Sequence, residues 1–202
     1  MKNIIRYITI GCLCTIYLYL CGLFLFVYCP HQRKYPTEKI HHIKKEAQTG
    51  DIIFTEGDSF KSDIVRFASS SKSNVSHTGF LQMKENGLYV VHMSIDKNCI
   101  VSEPIDSFIS YNNVADFYVM RLRNEFDKEK LVQVLDSMLS YRIKFDHHYD
   151  MLDNERYYCT ELIYKTLLFI DCHDLEDVTY EKILYPIELM KSPKLKAIHI
   201  QK

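Results

Sequence analysis

The segment RYYCTELIYKTLLF, residues 156–169, places a cysteine where an apolar helical pattern begins. A helix start carries unpaired N–H groups and a partial positive charge. Both favour a thiolate over a thiol at Cys159, and the same N–H groups can hold an oxyanion. The competing reading is a buried cysteine that packs as a small apolar residue. His77 in SHTGF and His92 in VVHMS supply the remaining chemistry. An imidazole beside a thiol is a general base, and a third polar residue that orients it completes a triad. Either histidine alone is equally compatible with an ordinary hydrogen-bonded sheet residue.

Strand geometry decides whether the two rings can meet. Residues 76–83 and 88–95 read as strands flanking KENG, and Asn-Gly between apolar runs is a hairpin signal. Side chains alternate with period two, so His77 and His92 share a face in either plausible register. If Met83 faces Leu88, His92 faces Gly79. The histidines are then diagonal neighbours, about 7–8 Å apart at the backbone, and their side chains meet. If Glu85 faces Leu88, His92 faces Leu81, roughly 13 Å along the sheet and out of reach. In the first register Gly79 leaves the gap between the rings empty. A His/His/Cys trio also uses zinc ligand types. The helix dipole already supplies positive charge and no fourth ligand stands out, so no metal is expected. His147 and His148 in KFDHHYD are adjacent and read as loop residues near the cleft, facing substrate.

Other elements must position these residues. TGDIIFTEG (49–57) reads as a short strand and SDIVRFASSS (62–71) as a short helix. Residues 99–105 form a third strand broken at Pro104, DSFISY a short helix, and 114–122 a fourth strand. Residues 127–141 show an amphipathic helical pattern and 159–170 a second long helix, with a closing helical turn near Pro186. The sum is an α+β class, an antiparallel sheet packed on a few helices.

The chain has 202 residues, 47% hydrophobic and 25% charged, which fits a globular domain. A net charge of −1 supplies no basic field to recruit nucleic acid. Of seven cysteines, Cys12, Cys14, Cys21 and Cys29 lie in the N-terminal apolar run. The remaining Cys99, Cys159 and Cys172 are too sparse for a disulfide framework, and no CxxC pair marks a structural zinc site. Residues 7–29 carry no charge and are long enough for a bilayer core of about 30 Å. Residues 1–30 are therefore expected to be an uncleaved transmembrane anchor, with a signal peptide as the alternative. Residues 31–48 read as a linker or short helix and 49–202 as the catalytic domain. Arg33, Lys34 and Lys39 follow the apolar run and lean towards a cytoplasmic domain. A short basic N-terminus before such a run is equally an export pattern. The expected placement is a single-pass membrane protein with an exported domain.

TGDIIF, SHTGF after a Ser-rich stretch and YYCTELIYK near the end together resemble the YiiX-like subgroup of circularly permuted NlpC-type papain-like cysteine hydrolases. Lecithin–retinol acyltransferase-like proteins belong to the same clan. The resemblance covers about residues 48–190. It implies a permuted papain-like fold, here with an N-terminal transmembrane helix, and a Cys159–His77–His92 triad without a cofactor. Two positions depart from the subgroup: His92 stands where Glu is common, and Thr160 where Ser is usual. The resemblance assigns Glu161 a supporting role, hydrogen-bonding the opening strand or turn. Tyr158 would help line the oxyanion site, and Asp51 would brace the turn near the cleft. The implied reaction is attack of the thiol on an amide of a cell-wall peptide or an acylated small molecule, through an acyl-enzyme. A lipid-acting acyltransferase or thioesterase and an idle binding module are the alternatives.

Overall fold

The computed structural model describes Tyr17 and residues 36–57, 73–178 and 182–198. The expected helix at 62–71 lies outside these residues. Internal contacts group Pro36–Lys202 into one unit, and the account below concerns that unit.

Among the described residues eight strands form one sheet: β1 (Ile52–Gly57), β2 (Val75–Lys84), β3 (Gly87–Ser94), β4 (Cys99–Pro104), β5 (Val114–Leu122), β6 (Lys144–Phe145), β7 (Arg156–Tyr157) and β8 (Leu195–Ala197). Their spatial order is β7-β6-β4-β3-β2-β1-β5-β8, antiparallel except for the β6–β7 pair. Among the described residues five helices accompany them: α1 (Thr37–Glu46), α2 (Ile105–Tyr111), α3 (Lys128–Tyr141), α4 (Cys159–Phe169) and α5 (Pro186–Met190). Residues 37–46, inside the expected linker, are helical because Ile40 and Ile43, one turn apart, turn a buried stripe to the domain.

Alternation sorts the sheet into two apolar faces. Ile52, Phe54, Phe80, Val91 and Met93 pack with Leu131 and Leu135 of α3 and Leu162 and Ile163 of α4. Ile53, Leu81, Val90, Phe117 and Val119 pack with Ile40 and Ile43 of α1 and Phe108 of α2. A register shift between Thr55 and Glu56 skips Ser76 of β2. This bulge re-aims the chain, so Val75 faces the α4 side while His77, opposite Thr55, faces the α2 side.

The hairpin has the register in which the histidines can meet: Met83 pairs with Leu88 and Phe80 with Val91. The β2–β3 ladder starts at Phe80, whereas β2 pairs with β1 as far as Val75. Residues 75–78 therefore have one strand neighbour, on the β1 side, and no strand paired on the other edge.

The fold class needs one correction. Among the described residues no helix is long and apolar enough to cross a membrane. The longest, α3, has 14 residues, about 21 Å, short of a bilayer core. The segment 7–29 expected to form the anchor lies outside the described residues, apart from Tyr17. The fold of the described residues is a mostly antiparallel sheet with helices on both faces, without a transmembrane helix.

Candidate active site

The nucleophile candidate owes its place to how α4 begins. Tyr158 is the N-cap, with extended backbone at φ −102 and ψ 179. Its N–H donates to the Glu161 carboxylate, 3.3 Å away. The Thr160 hydroxyl donates to the Leu184 carbonyl, fastening the first turn to the segment before α5. Cys159 follows the cap, so its own N–H and that of Thr160 are among the orphan donors of the helix start. Both point at the Cys159 sulfur, as does the backbone N–H of Thr78 on the free edge of β2. The sulfur thus meets the chain one residue from His77.

These donors do not make a resting thiolate. Burial among surrounding atoms outweighs them and pushes the Cys159 thiol up to about 11. The expectation of a pre-formed thiolate is corrected accordingly: the helix start lowers the value, and desolvation raises it more.

His77 and His92 meet edge to edge, with His77 Nε2 3.0 Å from His92 Nδ1. Their ring centroids are 5.1 Å apart and the planes nearly perpendicular. Phe108 of α2 supports both, stacked at 6.1 Å from His77 and edge-on at 4.7 Å from His92. Gly79 is required between them. A Cβ there would lie 2.8 Å from the Val91 carbonyl oxygen and 2.9 Å from His92 Cβ. Burial, then the neighbouring His92, holds His77 down at about 3, so it is a neutral imidazole at physiological pH. Among the described residues no hydrogen bond joins the His77 ring to Cys159. α4 packs on the other face of the sheet from Phe108, so thiol and imidazole approach the free edge of β2 from opposite sides.

The residues expected in support fall elsewhere. Tyr158 is buried, and its hydroxyl accepts from the Leu184 N–H at 3.2 Å. It anchors the start of α4. Asp51 sits at the far end of β1, where its carbonyl accepts from Leu81 N–H. Its carboxylate is held by Arg121 through Nε at 2.7 Å and a terminal nitrogen at 2.8 Å, and it accepts from Gln48 N–H at 2.8 Å. Four residues along β2 separate Leu81 from His77, about 13 Å, so Asp51 braces β1 to β5 and not the cleft. His147 and His148 are exposed, and His147 Nε2 lies 2.9 Å from Asn98 Oδ1.

Glu161 is completely buried and paired with Lys165 at 2.9 Å. Burial nevertheless raises its carboxyl to about 7. A folded value above the unfolded one means that its stabilisation is complete below about pH 4.5 and is lost as pH rises through about 7. Relative to Glu161→Gln, the native protein should lose on the order of 2 kcal/mol between pH 4.5 and pH 8. Paired urea titrations of the two proteins at each pH measure this. The comparison separates Glu161 from His77, whose lowered value acts in the opposite sense. A constant difference across that range would contradict the assignment.

Two residues near the site escaped sequence reasoning. Tyr149 takes a left-handed conformation, φ 56, in the loop between β6 and β7. Buried Asp146 shapes that loop by accepting from the N–H groups of His148 (2.8 Å) and Asp150 (2.6 Å). The Tyr149 ring then packs 5.3 Å from that of Tyr158. Its hydroxyl is raised by burial and next by the charge of Cys159. Glu103 on β4 is the second. Its Oε2 lies 3.5 Å from His92 Nε2, and its Oε1 is paired with Lys97. A glutamate between two strand residues and Pro104 offers no sequence signal that it faces a histidine on the next strand.

Known proteins bear on this arrangement. No curated protein matches the chain. Among solved structures, that of the metalloprotein YiiX from Escherichia coli O157:H7 superposes with a TM-score of 0.60 at 20% identity. The match covers 77% of this chain and 98% of that one, and it establishes the shared fold. Residues 46–199 match the family described as permuted papain-like amidase enzyme, YaeF/YiiX, C92 family. With a sheet, a cysteine-headed helix and a histidine strand in the permuted order, the chain belongs to that family and is an enzyme of the cysteine peptidase/amidase type.

Proposed function

We propose that the protein hydrolyses an amide bond through Cys159 as nucleophile, His77 as general base and His92 as the residue that orients His77. The observation that carries this reading is the meeting of the Cys159 sulfur with the Thr78 N–H, next in the chain to a neutral, hydrogen-bonded His77. Substrate enters along the free edge of β2. His77 takes the thiol proton as the sulfur attacks the carbonyl carbon. The N–H groups of Cys159 and Thr160 stabilise the oxyanion. The proton passes to the leaving amine, and water then cleaves the acyl-enzyme, regenerating the thiol. Because thiol and imidazole are both neutral at rest, proton transfer accompanies attack and does not precede it.

The substrate class we favour is a cell-wall peptide or a related acylated small molecule. Access to cell-wall peptides requires an extracytoplasmic domain, which protease accessibility in intact cells tests. The YiiX relative is titled a metalloprotein. Among the described residues of this chain, no group of three or more His, Cys, Asp or Glu side chains is placed to hold a metal ion.

The test is covalent. An acyl electrophile directed at thiols, followed by mass spectrometry of the intact chain, should leave one adduct on Cys159 in the wild type. Cys159→Ala should show none, and His77→Ala should label far more slowly. Equal labelling of all three proteins would remove the nucleophile assignment.

A further inference from the structure

We propose that Glu103 is a positioning residue of this active site. Acting through His92, its carboxylate fixes the one His77 tautomer whose Nδ1 is free to take the thiol proton. This rests on the reading of Cys159 and His77 given above.

The argument follows the hydrogens. A carboxylate has no hydrogen to give, so a ring nitrogen facing it is best served by carrying one. His92 is 1% exposed, and its Nε2 has no hydrogen bond among the described residues, with Glu103 Oε2 3.5 Å away. A single ring proton on His92 is therefore best placed on Nε2, leaving Nδ1 as an acceptor. The partner of Nδ1 is His77 Nε2 at 3.0 Å, which must then donate. A neutral His77 carries one ring hydrogen, so with Nε2 protonated its Nδ1 bears the lone pair. Glu103, His92 and His77 form a directed chain whose far end is a base. Without the carboxylate, His92 can reverse its tautomer, donate from Nδ1, and leave His77 with the hydrogen on the wrong nitrogen.

The chain also accommodates the charge that develops. When His77 Nδ1 accepts the thiol proton, the ring becomes an imidazolium that keeps its Nε2–H on His92. No proton needs to leave His92. The carboxylate beyond it supplies the compensating negative charge, held below the usual carboxylate range first by His92 and then by Lys97 on the opposite oxygen. Glu103 is 8% exposed, so water screens this interaction little.

The test reads tautomers directly and needs no substrate. Full-length protein labelled with nitrogen-15 in histidine, studied by long-range proton–nitrogen spectra, should show His77 and His92 both as fixed Nε2–H tautomers. In Glu103→Ala the ring-nitrogen shifts of both should collapse towards averaged values, and Glu103→Asp should restore them at least in part. Where the alanine variant fails to fold, Glu103→Gln takes its place, since its amide cannot enforce one direction. kcat/KM should fall about 100-fold in the alanine variant with KM little changed, as expected for a misdirected histidine. Unchanged ring shifts in a folded variant would overturn the relay even if Cys159 still labels. Fixed tautomers in a protein whose Cys159 never acylates would keep the relay and sink the hydrolase reading.

Discussion

Replacing His77 with alanine should slow acylation of Cys159 about 10⁴-fold at pH 7, and the deficit should shrink about tenfold with each added pH unit. The size follows from the resting thiol. With its value pushed up to about 11, about one molecule in 10⁴ is ionised at pH 7 without a base to take the proton. That is also near the upper range for general-base catalysis by a positioned imidazole. As pH rises towards the thiol's own value, hydroxide does what His77 did, and variant and wild type converge. Measuring kcat/KM from pH 7 to 10 for both proteins gives the result. A deficit independent of pH would mean that His77 does not act on the thiol proton. A thiolate already formed at rest would give a small loss at every pH.

Gly79→Ala should be the most damaging single methyl group in the sheet. Its Cβ would lie 2.8 Å from a backbone oxygen of Val91, and backbone cannot swing away as a side-chain tip can. It would also press on His92 Cβ at 2.9 Å. Overpacking of this kind costs about 1–3 kcal/mol. In a domain of this size that lowers Tm by about 2–4 °C for each kcal/mol. The strand pair must spread where His77 and His92 touch, so activity should fall more than stability, by 10-fold or more at temperatures where the variant is fully folded. Calorimetry and steady-state kinetics on the same preparation separate the two effects. A variant with native Tm and native kcat would show that the close approach of β2 and β3 is not needed.

The histidine pair was legible because it depends on parity and register alone. Residues 77 and 92 share a face in either hairpin register, and Met83 pairing with Leu88 chose the one that joins them. Cys159 was legible as a helix start because the apolar pattern begins there. Its protonation was not, since a thiol's value depends on the atoms packed around it, which residue spacing does not report. Asp51 and Tyr158 illustrate a different limit. Both sit beside recognisable motifs, yet Arg121 claims one and Leu184 the other, from 70 and 26 residues away. Tyr149 and Glu103 were missed for another reason. Their partners lie only 9 and 11 residues away, but Tyr149 reaches Tyr158 through an irregular loop and Glu103 reaches His92 on a diagonal between strands, and residue spacing reports neither contact. The short β6, β7 and β8 have too few residues for alternation to register.

The outermost join of the sheet has a dynamic consequence. α4 is entered from β7, a strand of two residues that pairs with another two-residue strand, which touches β4 through one residue pair. So few ladder bonds protect this margin that it belongs to the low-stability end of the molecule's opening motions. The start of α4 is therefore held less by strand pairing than by the burial of Tyr157, Tyr158 and Leu162 and by the ties of Tyr158 and Thr160 to Leu184, so loss of those side-chain contacts is what would free the sulfur.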